Sequence, residues 1–326
     1  MGDSWERARR VLAGAGLSPG SLARVRPLGG GTYNTVEEIL LTDGHRYVLK
    51  IPPSPATPGL RHERRLLVAE AEFCVRAAEA RVPAPRAVSA GGDTALPYLL
   101  MTARPGSPWT RAAPAGEERT ELRTELGRQV ARLHRVTGPG FGYPSGALGP
   151  LAPDWRTAFT AMTDAVLADA RHYGARLPRP VDEVAGVLAT AAPALDEVTV
   201  PALVHFDLWP GNILVERPAR GPARIGGLID GERMLWGDPL ADFVSLALLG
   251  DIREDEAFLA GYEEAGGRAV FDRAARLRLA LYRAYLYLIM LTETVPRASG
   301  ADHDRWLQEA VAPELGAALD EITALR

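Results

Sequence analysis

Residues 203–230 constrain the chain more than any other stretch. Two apolar segments, Leu203-Val204 and Ile213-Leu214-Val215, enclose the polar run His205-Phe206-Asp207-Leu208-Trp209-Pro210-Gly211-Asn212. A second carboxylate, Asp230, closes the apolar run Leu228-Ile229 further on. Short apolar segments bounding a loop of turn residues predict strands that bring Asp207, Asn212 and Asp230 to one end of a small sheet. Phosphoryl transfer needs such a set: one carboxylate orients the attacking hydroxyl, while an amide oxygen and another carboxylate bind Mg2+. A plainer reading has Asp207 capping a turn, Asn212 in a left-handed conformation and Asp230 ending a strand. His205 reads as a structural residue that hydrogen-bonds backbone to hold the loop.

Composition singles out three further positions. Of 37 basic residues, 36 are Arg and only Lys50 is Lys; Asn occurs only at Asn34 and Asn212. Where Arg or Asp would serve, this chain uses one, so these three are expected where no substitute works. Lys50 ends the strand Arg46-Tyr47-Val48-Leu49-Lys50, and alternation places it with Val48, opposite Tyr47 and Leu49. It then points under the turn Gly29-Gly30-Gly31-Thr32-Tyr33-Asn34. Backbone amides at such a turn can approach phosphate oxygens, and an ordinary hairpin turn fits the same residues. The turn lacks the strand-to-helix setting of a dinucleotide fingerprint, and Lys50 lacks the glycine pattern of a Walker loop. A carboxylate on the following helix would complete a phosphate-holding ion pair; Glu70 is chosen over Glu72 and Glu63.

Patterning divides the chain. A helix around Trp5 to Ala15 precedes three antiparallel strands between Val25 and Pro52, with a turn at Asp43-Gly44. A helix is expected over Arg61 to Arg81, ended by Val82-Pro83-Ala84-Pro85, and a strand over Tyr98 to Met101. Beyond Arg104-Pro105-Gly106 the expected helices are Leu122 to Val136, Trp155 to His172, Val181 to Leu195, Phe271 to Thr294 and Arg305 to Leu325. Pro108 to Glu118 and Pro139 to Pro153 are expected as surface loops. Through Ala103 the chain carries 13 basic and 10 acidic residues, and after it 24 and 31.

The whole chain of 326 residues carries a formal charge of -4, which offers no general basic field for nucleic acid or an anionic membrane. The lone Cys74 cannot form an internal disulfide, and no Cys/His cluster has metal-ligand spacing. The start lacks an export pattern, and the apolar stretch Ala284 to Leu291 is too short to span a bilayer and reads as a core helix. A cytoplasmic protein is expected.

The run H-F-D-L-W-P-G-N-I-L-V, followed by L-I-D-G-E and G-D-P-L-A-D-F, resembles the catalytic core of the aminoglycoside phosphotransferase family. Further matches are V-L-K at Lys50, Glu70 ahead of V-P-A-P, L-L-M-T-A-R-P-G and A-R-L-H at His134. The resemblance implies a two-lobed, protein-kinase-like α+β fold. Residues 1–103 would form the nucleotide-binding lobe, a small antiparallel sheet with one main helix, and residues 104–326 a larger, mostly helical catalytic lobe. It implies Asp207 as catalytic base, Asn212 and Asp230 as Mg2+ ligands, and Lys50 with Glu70 as the pair holding the phosphates of ATP or another nucleoside triphosphate. The phosphates would lie under Gly29, Gly30, Gly31 and Thr32, and the purine beside Met101, Thr102 and Arg104; Asp242 would support the loop.

Two departures stand out: relatives often carry Gly where this chain has Phe206, and a bulky or acidic residue where it has Gly231. The implied activity is an ATP- and Mg2+-dependent transfer of the γ-phosphoryl group to a hydroxyl of a small molecule. The commonest role is antibiotic inactivation, and an acidic second lobe favours a cationic amino-sugar. A nucleoside or macrolide antibiotic, a ketosamine, choline or homoserine would use the same machinery, and D-L-W-x-G-N is similar to the ketosamine kinases. Candidate substrate contacts are Trp209, Glu232, Asp251, Glu254 and Asp255. A nucleotide-sensing pseudokinase is disfavoured because Lys50, Asp207, Asn212 and Asp230 are all present; a hydrolase is disfavoured because no nucleophile motif accompanies Asp207 and His205.

Overall fold

Alternating apolar side chains between Leu22 and Thr102 build one sheet whose two faces meet different helices. A computed structural model describes residues 2–29, 33–91 and 97–325. Strands β1 (Leu22–Pro27), β2 (Thr35–Leu41), β3 (Arg46–Ile51), β4 (Ala87–Gly91) and β5 (Tyr98–Thr102) pair antiparallel in the order β1-β2-β3-β5-β4. Ile39, Leu41, Leu49 and Leu100 pack with Ala8, Val11 and Leu12 of helix α1 (Gly2–Gly14) into a small separate core. Because side chains alternate, Lys50 falls on the opposite face, toward helix α2 (Leu66–Glu79).

The helix expected over Arg61 to Arg81 is interrupted. Arg61–Glu63 form a single 3-10 turn, Arg65 takes a left-handed backbone at φ 66°, and α2 starts at Leu66. Strand β4, which the sequence reading missed, has small residues and no buried position, so its pattern carries no alternation signal.

The rest of the chain is mainly helical: α3 (Trp109–Ala112), α4 (Gly116–His134), α5 (Trp155–Tyr173), α6 (Val181–Ala191), α7 (Leu240–Leu246), α8 (Glu256–Glu264), α9 (Arg273–Arg297), α10 (Ala301–Trp306) and α11 (Ala312–Leu325). Two ribbons thread through it. Among β6 (Ser107–Pro108), β7 (Ala202–Val204), β8 (Ile213–Glu216), β9 (Arg224–Leu228) and β10 (Leu235–Gly237), β8 pairs with β6 and β9, and β7 with β10. The main core surrounds α9, whose Tyr282, Tyr285, Leu288 and Ile289 are fully buried, as expected for Ala284 to Leu291.

Three expectations are corrected. Pro108 to Glu118 is not a plain loop, since α3 lies within it and α4 starts at Gly116. Helices α7 and α8 were not anticipated. The segment Arg305 to Leu325 is no single helix: a π turn at Leu307–Val311 separates α10 from α11. Among the described residues no helix is long and apolar enough to cross a membrane.

Candidate active site

The loop after β7 is held by its own backbone donors. The amides of His205 and Phe206 donate to the Asp242 carboxylate at 3.0 and 2.6 Å, that of Asp207 donates to His205 Nδ1 at 3.2 Å, and that of Leu208 donates to Ser245 Oγ at 2.9 Å. With Nδ1 accepting, His205 must carry its proton on Nε2, which donates to Ile229 O at 3.0 Å. His205 is therefore structural, as the sequence implies. His134 Nε2 lies 2.9 Å from the same Asp242, and its Nδ1 lies 2.8 Å from the Tyr262 hydroxyl, so A-R-L-H serves the loop from behind.

Phe206 takes φ 63°, a left-handed conformation that costs a residue with a Cβ about 1–2 kcal/mol and glycine almost nothing. The ring offsets this. It is buried and lies 5.7 Å from Tyr285, and burial of a Phe side chain stabilises by about 1.5–3 kcal/mol. Downstream, Asn212 Nδ2 donates to Asp207 Oδ2 and to the Asp207 carbonyl, both at 2.9 Å. The Asn212 amide thereby fixes the carboxylate and leaves Asp207 Oδ1 for another partner. Trp209 folds back over Gly211, where a Cβ would come within 2.2 Å of the indole.

Asp230 sits at the turn beyond β9. The Ile229 amide donates to Asn212 O at 3.0 Å, which ties the two metal-ligand candidates together through the backbone. Asp230 has φ 62°, and the next residue must be small: a Cβ on Gly231 would meet the Phe73 ring of α2 at 2.2 Å. Phe73 thus accounts for the departure at Gly231.

Lys50 crosses to this turn from the sheet. Its ammonium lies 2.8 Å from Glu70 Oε2 and 3.0 Å from Glu232 Oε2, and it also contacts Asp230 Oδ1. Of the three carboxylates weighed as its partner, only Glu70 is there: Glu72 pairs with Arg76, and Glu63 with Arg297. Burial alone would lower the Lys50 pKa, but Glu70, Glu232 and Asp230 outweigh it and hold the ammonium well above the usual lysine value. Burial pushes Glu70 upward against the pull of Lys50. Burial also pushes Asp207 up to about 7, with Asp230, Glu232 and Glu293 adding to the rise and Arg233 opposing it.

The donor set fits Mg2+. Asn212 spends its Nδ2 on Asp207, which leaves its oxygen as the acceptor, and the Asp230 side chain is 39% exposed. Both are hard oxygen donors. Among the described residues no group of three or more His, Cys, Asp or Glu forms a metal cage.

Sequence reasoning missed a second polar network on the far side of Asp207. Arg233 NH2 lies 2.6 Å from Glu293, Glu293 lies 3.1 Å from Arg297, and Arg297 pairs with the fully buried carboxylate of Glu63. The Arg297 guanidinium also lies 5.5 Å from the centroid of Tyr33, whose hydroxyl donates to Glu63 O at 3.3 Å. His62 stacks on Tyr143 with both ring nitrogens buried and without hydrogen-bond partners; burial, and after it Arg233, hold its pKa down to about 3. No local motif announced these residues. Asn34 did carry a signal, its scarcity, and its Nδ2 donates to Glu232 Oε2 at 2.7 Å.

The proposed nucleotide contacts are placed unevenly. Gly29 has open space where a Cβ would stand, whereas Gly30, Gly31 and Thr32 lie outside the described residues. Met101 is buried on β5 between Val48 and Ala87. The Thr102 amide donates to Arg86 O at 2.9 Å, so that N–H is not open to a purine edge. Arg104 lies over Gly227 and donates from Nε to Gly226 O at 2.9 Å. Of the substrate candidates, Trp209 is exposed and Glu232 belongs to the Lys50 cluster, while Glu254 is exposed. Asp251 and Asp255 cap helices and pair with Arg253 and Arg123, which makes both structural.

A sheet with a buried Lys–Glu pair, set against a helical body that carries this loop, defines a protein-kinase-like phosphotransferase. The chain belongs to the phosphotransferase enzyme family (APH), whose family model matches residues 24–282. It is similar to a probable ketoamine kinase of Lactiplantibacillus plantarum, 26% identical over 278 residues that cover 82% of this chain and 89% of that protein. A putative fructosamine-3-kinase from Thermobifida fusca superposes with TM-score 0.65 at 24% identity, covering 94% of this chain and 99% of the other. The macrolide 2'-phosphotransferase MphH from Brachybacterium faecium does so with TM-score 0.59 at 21% identity, covering 95% and 98%. The protein is a kinase with a hydroxyl acceptor.

Proposed function

We propose that the chain transfers the γ-phosphoryl group of ATP, with Mg2+, to a hydroxyl of a ketosamine-type sugar amine. One observation carries the chemistry: Lys50, Glu70, Asp207, Asn212 and Asp230, from distant segments, are joined in one chain of ion pairs and hydrogen bonds. Likeness to the ketoamine kinase over 278 residues supports the acceptor. In this reading residues 1–103 hold the nucleotide and residues 104–326 carry catalysis and the acceptor. Asp207 Oδ1 receives the hydrogen bond of the attacking hydroxyl, and Asn212 keeps the carboxylate aimed. Lys50 holds phosphate oxygens, and Glu70 keeps its ammonium in place. Asn212 and Asp230 would hold Mg2+, which neutralises phosphate charge when bound.

A second reading, inactivation of an antibiotic such as a macrolide or aminoglycoside, is supported by the likeness to the macrolide 2'-phosphotransferase. Incubation with labelled ATP, Mg2+ and a panel of a fructosyl-amine, an aminoglycoside and a macrolide, read by mass shift, separates the two. Phosphate on the fructosyl-amine is expected. Phosphate on an antibiotic alone selects the second reading, and tight ATP binding with no transfer at all selects a nucleotide sensor.

A further inference from the structure

The chain's single lysine and both of its asparagines meet at one site, and only Asn34 has no part in the chemistry described above. Its Nδ2 donates to Glu232 Oε2 at 2.7 Å, and the same oxygen receives the Lys50 ammonium at 3.0 Å. Asn34 lies just past the glycine run in sequence, whereas Glu232 lies two residues past Asp230. A single hydrogen bond therefore joins segments 198 residues apart in sequence. Among the described residues Asn34 Oδ1, which is buried, has no hydrogen-bond partner, so the bond to Glu232 sets the orientation of the amide.

Resting on the phosphotransferase reading, we infer that Asn34 and Glu232 are a positioning pair that aims the Lys50 ammonium at the phosphate chain. One carboxylate oxygen serves both partners, so Asn34 fixes the carboxylate that in turn fixes the cation beside it. The pair also accounts for the residue type. Aspartate at position 34 would face Glu232 with like charge, and arginine would overreach a 2.7 Å contact from a short side chain. An asparagine survives here in a chain that has almost eliminated the type.

The test combines calorimetric titration of a non-hydrolysable ATP analogue with Mg2+ and steady-state kinetics on the acceptor that the panel identifies. Asn34→Asp is expected to weaken analogue binding and raise the KM for ATP about tenfold, the size of one lost charge-assisted hydrogen bond, while the acceptor KM stays within about twofold. Asn34→Ala and Glu232→Ala should each lower kcat/KM for ATP, and the double variant should be no worse than the worse single one, because both remove the same contact. Melting temperatures of all variants serve as the folding control. Unchanged affinity in Asn34→Asp, or losses that add in the double variant, overturn the pairing. Wild-type protein that binds no nucleotide overturns the phosphotransferase reading beneath it, and that failure shows before any substitution is made.

Discussion

The floor of the site, the loop after β7, and its opposite side at Tyr33 and Asn34 are held differently. On the floor, four consecutive amides from His205 to Leu208 have side-chain acceptors, and one carboxylate, Asp242, serves two of them together with His134. On the opposite side, the Tyr33 hydroxyl reaches Glu63 O and the Asn34 amide reaches Glu232, each through its side chain. The floor is over-determined, which lets it hold left-handed backbone at Phe206 and Asp230 without relaxing. Each of these two contacts is one that a single substitution can remove. Reacting groups need fixed geometry, whereas groups that bind and release a ligand need less of it.

The contrast can be broken in four places. Asp242→Ala leaves two buried amides and His134 without their acceptor, so we expect a loss of about 3–5 kcal/mol in chemical denaturation together with lost activity. A stable, active variant would show that the floor does not depend on its backbone bonds. Asp207→Ala should leave ATP binding and stability near wild type and reduce turnover by about a hundredfold or more; turnover at the wild-type rate would remove Asp207 from the chemistry. Lys50→Arg places a planar fork among three carboxylates that now share one compact ammonium, and the KM for ATP should rise about tenfold with little change in melting temperature.

The fourth test reads stability against pH and concerns His62, whose folded-state pKa is depressed to about 3. The unfolded chain takes up a proton below about 6.5 and the folded chain does not, so stability falls with decreasing pH by about 1.4 kcal/mol per pH unit between those values. His62→Phe should flatten that slope in denaturation curves recorded from pH 4 to 7. An unaltered slope would place the acid sensitivity elsewhere.

Much of the floor was legible in the sequence because its groups sit close together along the chain. Asp207 and Asn212 share one loop, and Asp230 ends the neighbouring strand. Lys50 was legible through composition, and Glu70 through its place on the helix that follows and through the family resemblance. The ladder of Arg233, Glu293, Arg297 and Glu63 was not, since its members come from a turn, α9 and the 3-10 turn before α2, and each alone looks like a surface charge. Burial makes them a network, and burial is a property of the assembled chain. Helix α7 was hidden for a related reason: all seven of its residues are buried, so it shows no polar face from which a period could be read. The helix expected over Arg61 to Arg81 failed at Arg65, where a left-handed residue breaks a pattern that remains apolar in composition.

The contact of Phe73 with Gly231 links two parts of the site that share no motif. The ring fills the space a side chain at position 231 would need, on the same helix that carries Glu70 to Lys50. A larger residue at 231 therefore demands a smaller one at 73. Across relatives the two positions should vary as a couple, with glycine accompanying an aromatic ring and a bulky residue after the aspartate accompanying a trimmed helix.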